Sequence, residues 1–241
     1  VRLTSFGEAF SKHAREVLRS AEELSDMARV AQERLIGRLR LGVIPTIAPY
    51  LLPRALTRIK SAALDLDMRV REAQAAELVS SVQNGKLDAA VIALPHDTGG
   101  LMAQPLFTDH FLLAGSQSRI EALTAQSAPR PTDLSPDALL LLDEGHCLAD
   151  QALDVCQRDR TQAGIHTGAS SLATLSRLVE AGFGMTLMPE IAAKTELDAA
   201  PGLRLHRFGT PEPARQIGLV RRAGTPGSGW AAQLAETLKD V

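Results

Sequence analysis

Leu39-Arg40-Leu41-Gly42-Val43-Ile44, then Pro45-Thr46-Ile47-Ala48, then Leu51-Leu52-Pro53-Arg54-Ala55-Leu56-Thr57-Arg58-Ile59 is the stretch that decides the fold. It reads as a strand, a turn and a helix in immediate succession. The same grammar recurs downstream. Residues 68–72 read as a strand, 76–84 as a helix and 89–93, Ala-Ala-Val-Ile-Ala, as a fully buried strand. Strands alternating with helices of about ten residues mean βαβ units around a largely parallel sheet. Leu106-Phe107 and 111–114 add two further strands, and 117–138, rich in Ser, Pro, Ala and Thr, reads as a crossover. The alternation then restarts: strand 139–142, helix 148–158, strand 164–169, helix 172–181, strands 185–188, 203–208 and 216–220, and an amphipathic helix 230–239. The expected architecture is two α/β lobes with a cleft between them, the chain crossing twice.

Upstream of that unit the pattern is different. Ser5-x-x-Glu8 has capping-box spacing and predicts a helix start near residue 5. Phe10, Ala14, Val17, Ala21, Leu24, Ala28, Ala31 and Leu35 then recur at steps of four and three, flanked by charged residues. Such a narrow, Ala-rich seam suits a long helix that pairs with another helix, though packing on its own domain is the plain alternative. The opening residues Val1-Arg2-Leu3 read neither as a signal peptide nor as a natural start, so the chain is expected to be a piece of something longer.

Composition narrows the function. The 26 Lys and Arg nearly balance the 28 Asp and Glu, which argues against nucleic-acid binding by charge alone. At 45% hydrophobic and 22% charged, the 241 residues can bury a substantial core. Aromatics are only 3%, so stacking platforms for sugars or single strands are not expected. No apolar run is long enough to span a membrane.

The strongest local signal is Gly145-His146-Cys147-Leu148-Ala149-Asp150-Gln151-Ala152-Leu153-Asp154-Val155-Cys156. Cys147 follows a strand and a Gly-His turn and opens a helix, where amide N–H groups, the helix dipole and a protonated His146 would favour a thiolate. Cys156 lies nine residues on. In a continuous helix that is about 13.5 Å along the axis, whereas a disulfide needs Cα atoms roughly 4.4–6.8 Å apart. The two sulfurs can bond only if the helix unwinds. Alternatively, both are quiet core cysteines. A zinc site is disfavoured, because adjacent His146 and Cys147 cannot easily face one ion and no second ligand pair is visible. Neither a nucleophile elbow nor a phosphate-binding loop is present, and Gly182-Phe183-Gly184 reads as a helix C-cap.

Several stretches resemble LysR-family transcriptional regulators. Leu3-Thr4 with Gly7-Glu8-Ala9-Phe10 and the long helix resemble the end of that family's DNA-binding domain and its linker helix. Leu178-Val179-Glu180-Ala181-Gly182-Phe183-Gly184-Met185-Thr186-Leu187-Met188-Pro189 is similar to its second-lobe signature. Gly42 to Thr46, Tyr50 to Pro53, Gly85-Lys86-Leu87-Asp88 and above all the His-Cys…Cys segment resemble the OxyR-type peroxide sensors within the family. The resemblance runs along essentially the whole chain.

The resemblance implies two Rossmann-like, periplasmic-binding-protein-like lobes behind a linker helix. It divides the chain into a dimerisation helix at 1–36, a first lobe at 37–116 and 213–241, and a second lobe at 117–212 carrying the cysteines. Cys147 would be the peroxidatic cysteine and Cys156 the resolving one. Thr46 would contact peroxide, His146 would line the pocket and support its charge, and Arg215 would stabilise a developing anion. Asp150 would join the pocket's hydrogen-bond network. At Ala75 the sensors often carry a second threonine, so one hydroxyl contact is lost here. The resemblance further implies hydrogen peroxide as the partner molecule, cellular thiol reductants for resetting, a homodimer or tetramer and a cytoplasmic location. Promoter DNA and RNA polymerase would be met only through a longer protein carrying the helix-turn-helix; no metal, cofactor, membrane or enzymatic turnover is expected. Two rivals remain: a metabolite-binding LysR domain using Thr46, Ser170 and Ser171, and a catalytic thiol peroxidase.

Overall fold

The computed structural model describes residues 4–8, 10, 11, 13, 14, 17, 18, 20, 21, 37–62, 66–125, 128–158, 165–223 and 230–239. The described residues from 5 to 21 are helical, as the capping signal predicts, but the hydroxyl that caps them is Thr4, which accepts from the Gly7 amide at 3.1 Å. Phe10 and Val17 of the apolar seam are exposed on the single chain. Leu24, Ala28, Ala31 and Leu35 lie outside the described residues.

Strand β1 (Gly37–Val43) leads into helix α1 (Ala48–Ala62), β2 (Leu66–Glu72), α2 (Ala75–Gln83) and β3 (Ala89–Leu94). Here the parallel expectation holds, with β1 lying parallel between β2 and β3. Beyond them the sheet is mixed. The second half of the chain comprises β4 (Met102–Ser116), α3 (Gln117–Thr124), β5 (Leu140–Leu142), α4 (Cys147–Cys156), β6 (Ile165–Ala169) and α5 (Leu172–Glu180). It closes with β7 (Thr186–Pro189), α6 (Glu190–Ala199), β8 (Leu203–Arg207), β9 (Ala214–Arg221) and α7 (Trp230–Lys239). Strand β9 inserts antiparallel between β3 and β4, while β7 and β8 run antiparallel to β4. The cause is the double crossing: β9 returns from the second lobe alongside the outgoing β4, so it must run against it.

Two hydrophobic cores result. One gathers Leu41, Val43, Leu78, Ile92, Leu219 and Leu234, and the other Phe111, Leu113, Leu140, Leu153, Leu175 and Leu187. Strand β4 serves both, since its Met102–His110 part pairs with β9 and its Phe111–Ser116 part with β7 and β8. The two short strands expected at 106–107 and 111–114 are thus one long strand. Asp109, which interrupts the apolar pattern, stands directly opposite Arg215 of β9 and is neutralised there.

Two further expectations need correction. The crossover at 117–138 contains α3 and two 3₁₀ turns, at Pro131–Asp133 and Pro136–Ala138. Helix α6 is absent from the sequence expectations; Pro189 is its N-cap, followed by Glu190 in the first turn. The C-cap reading of Gly182 holds. Its φ of 84° is left-handed, its amide donates to the Val179 carbonyl at 3.0 Å, and Phe183 donates to Leu178.

Candidate functional site

Helix α4 begins with Cys147 and ends with Cys156, and both thiols are free. Its two ends face different cores. Cys147 is half-buried and packs against the first, whereas Cys156 is 1% exposed within the second. The turn ahead of Cys147 is Asp143-Glu144-Gly145-His146, tied by the Asp143 amide to the Ala169 carbonyl at 2.9 Å. Gly145 has a φ of 87°, a left-handed conformation that favours glycine, and this kink aims His146 and Cys147 back at the first lobe.

There they close a small cavity. The first lobe contributes Ile44, Pro45, Thr46, Gln74 and Ala75, and the second Gly145, His146 and Cys147. Its volume is about 10 Å³, on the order of what one water needs. Thr46, in the turn between β1 and α1, is buried, and its hydroxyl accepts from Arg215 Nη1 at 3.0 Å. Arg215 Nη2 donates to the Thr46 carbonyl at 3.3 Å. Behind it, Nε and Nη2 both reach Asp109 Oδ2 at 2.9 Å, each side chain 1% exposed. Asp109 Oδ1 in turn accepts from the Ile191 amide at 3.0 Å. The Arg215 guanidinium also lies 6.0 Å from the centroid of the Phe111 ring.

Thr46, His146, Ala75 and Cys147 therefore meet around one cavity, and Arg215 meets it from behind the wall through Thr46. Because Arg215 occupies an acceptor site on the Thr46 oxygen, that hydroxyl's own proton is left to donate elsewhere. Asp150 is not among the lining residues and is exposed. It sits in the first helical turn, where a carboxylate complements the dipole, and its charge still reaches the Cys147 thiol.

The electrostatics correct two expectations. Burial pushes the Cys147 thiol above its ordinary range and the Asp150 charge adds to this; its own backbone amide and Arg215 pull the other way. Desolvation outweighs the helix terminus, so the resting thiol is protonated at neutral pH. Burial also pushes His146 below its ordinary value, against smaller opposing pulls from Asp143 and Glu72. A neutral imidazole lines the pocket without lending it positive charge.

Cys156 is pushed up to about 11 by burial, with Arg158 opposing. A thiol raised on folding contributes stability that is complete below its unfolded value, near 8.5, and disappears as pH rises through the folded value. The reduced protein is therefore expected to lose roughly 2–3 kcal/mol between pH 8 and 10.5 through this group alone. Denaturant melts of wild type and Cys156→Ala across that range check it, because the variant loses the Cys156 share of the alkaline destabilisation and keeps only that of Cys147.

Sequence reading missed Asp109 and Gln74. A lone carboxylate inside the apolar run 106–114 was the available signal for the first, since such a group needs a partner. Nothing local marked Gln74. Among the described residues, no group of three or more His, Cys, Asp or Glu could hold a metal, and no helix is long and apolar enough to cross a membrane. A wider groove of about 260 Å³, lined by Leu51, Phe107, Asp109, Glu190 and Lys239 among others, lies at the Asp109 end of the relay. Its charges are already matched: Asp109 by Arg215, Glu190 by Arg207 and Lys239 by Glu236. Ser171, assigned to a metabolite by one rival reading, caps α5 by accepting from the Thr174 amide.

The family described as LysR substrate binding domain matches residues 32–241. A probable hydrogen peroxide-inducible genes activator of Mycobacterium avium is 40% identical over 226 residues, covering 93% of this chain and 72% of that protein. The DNA-binding transcriptional dual regulator OxyR of Escherichia coli K12 is 36% identical, covering 99% of this chain and 77% of its own length. Among solved structures, a cysteine mutant of Corynebacterium glutamicum OxyR with H2O2 bound superposes with a TM-score of 0.82 at 33% identity, covering 98% of this chain and 74% of that one.

Proposed function

The chain belongs to the LysR substrate binding domain family, and from that premise we propose that it is the redox-sensing regulatory part of a hydrogen-peroxide-responsive transcriptional regulator. The observation that carries this reading is the cavity itself. A thiol faces a space of about 10 Å³, beside a hydroxyl oriented by a buried arginine. A space of one water's size excludes a metabolite, whose pockets typically need several hundred Å³, and leaves a molecule of two oxygen atoms as the kind of ligand that a modest widening would admit.

The chemistry follows from the groups present. The Cys147 sulfur, as thiolate, attacks one peroxide oxygen; the S–O bond forms as the O–O bond breaks. Thr46 stands where its hydroxyl can donate a hydrogen bond to the departing oxygen. The leaving hydroxide and the proton given up by Cys147 combine as water, and a sulfenic acid remains. Cys156 then attacks that sulfur, a second water leaves, and a disulfide joins the two residues. One peroxide is reduced by two electrons as two thiols become one disulfide. The second step requires α4 to unwind, and this converts oxidation into a change of shape.

As a regulator, the domain reacts once and waits for a cellular thiol reductant, so it is not an enzyme in the turnover sense. In a longer protein the remodelled lobe would alter subunit packing in a dimer or tetramer, with the 1–36 helix as the pairing element, 37–116 with 213–241 as the first lobe and 117–212 as the second. Phe10 and Val17, exposed on one chain, suit such pairing. Promoter DNA and RNA polymerase would be engaged through that assembly in the cytoplasm.

The test is chemical trapping. Cys156→Ser treated with one equivalent of peroxide should hold a sulfenic acid on Cys147, captured by dimedone and located by mass spectrometry. Absence of the adduct, with the peroxide unconsumed, refutes the reading. Because burial holds Cys147 protonated, the oxidation rate of wild type should still be rising at pH 8.5, where an ordinary thiol is half ionised. Stopped-flow rates from pH 6 to 9 check this.

A further inference from the structure

Gln74 is the residue just before α2, and its side chain makes no cap on its own helix. Instead it reaches across to the second lobe. Its Nε2 donates to the Glu144 carbonyl at 3.2 Å. Its carboxamide also lies flat on Gly145, so closely that a Cβ there would sit 2.3 Å from Oε1 and 2.6 Å from both Cδ and Nε2. Glu144 and Gly145 are the turn that delivers Cys147 to the cavity, and Gln74 and Gly145 are both in its lining. Within the turn itself the His146 amide only reaches the Asp143 carbonyl at 3.5 Å, a poor hydrogen bond.

We infer that Gln74 is a clasp between the lobes: its carboxamide, laid on Gly145 and bonded to Glu144, holds the Cys147 turn in the reduced arrangement and sets how readily Cys147 leaves to meet Cys156. The inference rests on the disulfide reading above. It makes Gln74 a positioning residue that acts on the second step. For Cys147 to reach Cys156, the turn must come away from the first lobe, and the Gln74 contacts break with it. Those contacts therefore stabilise the dithiol and not the disulfide. Removing them favours oxidation.

A net hydrogen bond of ordinary strength corresponds to a factor of roughly two to twelve in an equilibrium. Gln74→Ala is expected to shift the dithiol–disulfide equilibrium about fivefold toward the disulfide, which makes its potential about 20 mV more negative at 29.6 mV per tenfold. Gln74→Glu keeps the shape but loses the donor, and should shift the equilibrium in the same direction. The side chain is exposed, so both variants should fold. The measurement is redox titration in glutathione buffers of wild type and both variants, with thermal melts of the fully reduced and fully oxidised forms. Melting should fall in the reduced form and stay unchanged in the oxidised form. An unchanged or less negative potential, or an equal fall in both melts, overturns the clasp. A wild type that forms no Cys147–Cys156 bridge overturns the reading beneath it and the clasp together, so the two failures look different.

Discussion

Arg215→Ala is expected to destabilise the protein by about 3–5 kcal/mol, the usual loss when one partner of a buried ion pair is removed. Asp109 would be left in a site where it is 1% exposed, without the guanidinium that meets its Oδ2 at 2.9 Å. Denaturant melts of the reduced protein read the loss directly. The same substitution frees the Thr46 hydroxyl to rotate and withdraws the positive charge that pulls Cys147 toward its thiolate. Peroxide oxidation should therefore slow by about tenfold or more, by comparison with the loss of a preorganised donor in other sites. The two effects can be separated. In an Arg215→Met, Asp109→Leu double variant the buried pair is replaced by apolar groups, which can restore stability. That protein should melt near wild type while oxidising as slowly as Arg215→Ala. If it oxidises at the wild-type rate, Arg215 serves only the fold.

Cys147→Ser should abolish the response to stoichiometric peroxide altogether. The remaining thiol, Cys156, is 1% exposed and pushed up to about 11, so it offers peroxide neither access nor thiolate at neutral pH. Mass spectrometry of the treated variant should find Cys156 unmodified. Cys156→Ser, by contrast, should react at close to the wild-type rate and stop at the sulfenic acid. Oxidation of Cys156 in the Cys147→Ser protein would show that the assignment of roles is wrong.

Local periodicity was enough to read the strands and helices between residues 37 and 94. Leu39 to Ile44, Ala89 to Ala93 and the helices between them are shaped by neighbours close in sequence, and their burial pattern is regular. The errors lie where distant partners decide. Asp109 reads as a break in a strand until Arg215, 106 positions away, is seen opposite it. Helix α6 buries only Ala192 and Glu196, so no apolar stripe marks it in the sequence. The parallel sheet was an extrapolation from β1, β2 and β3, and it failed at β9 because strand direction depends on where the chain returns.

The site divides in the same way. Cys147 and Cys156 stand out by spacing on a predicted helix, whereas Thr46, His146 and Arg215 take their pocket roles only from the family resemblance. Their electrostatics were not legible: a helix start and a neighbouring histidine predict a low thiol pKa, but burial by two lobes reverses the sign. Burial arises from tertiary contact, which residue types do not encode one at a time. Asp150 does not line the cavity, but three residues along the helix keep it on the face of Cys147, whose thiol its charge pushes up. Gln74 carries no chemical signature at all and gains meaning only from lying against Gly145.

The unwinding of α4 is tested most directly by hydrogen exchange on residues 148–156, comparing the reduced protein with protein oxidised by one equivalent of peroxide. Slow exchange in the reduced form, and loss of that protection together with a cross-linked Cys147–Cys156 peptide in the oxidised form, is the predicted result. A cross-link that leaves the helix fully protected, or peroxide consumption with no cross-link in the wild type, would contradict it.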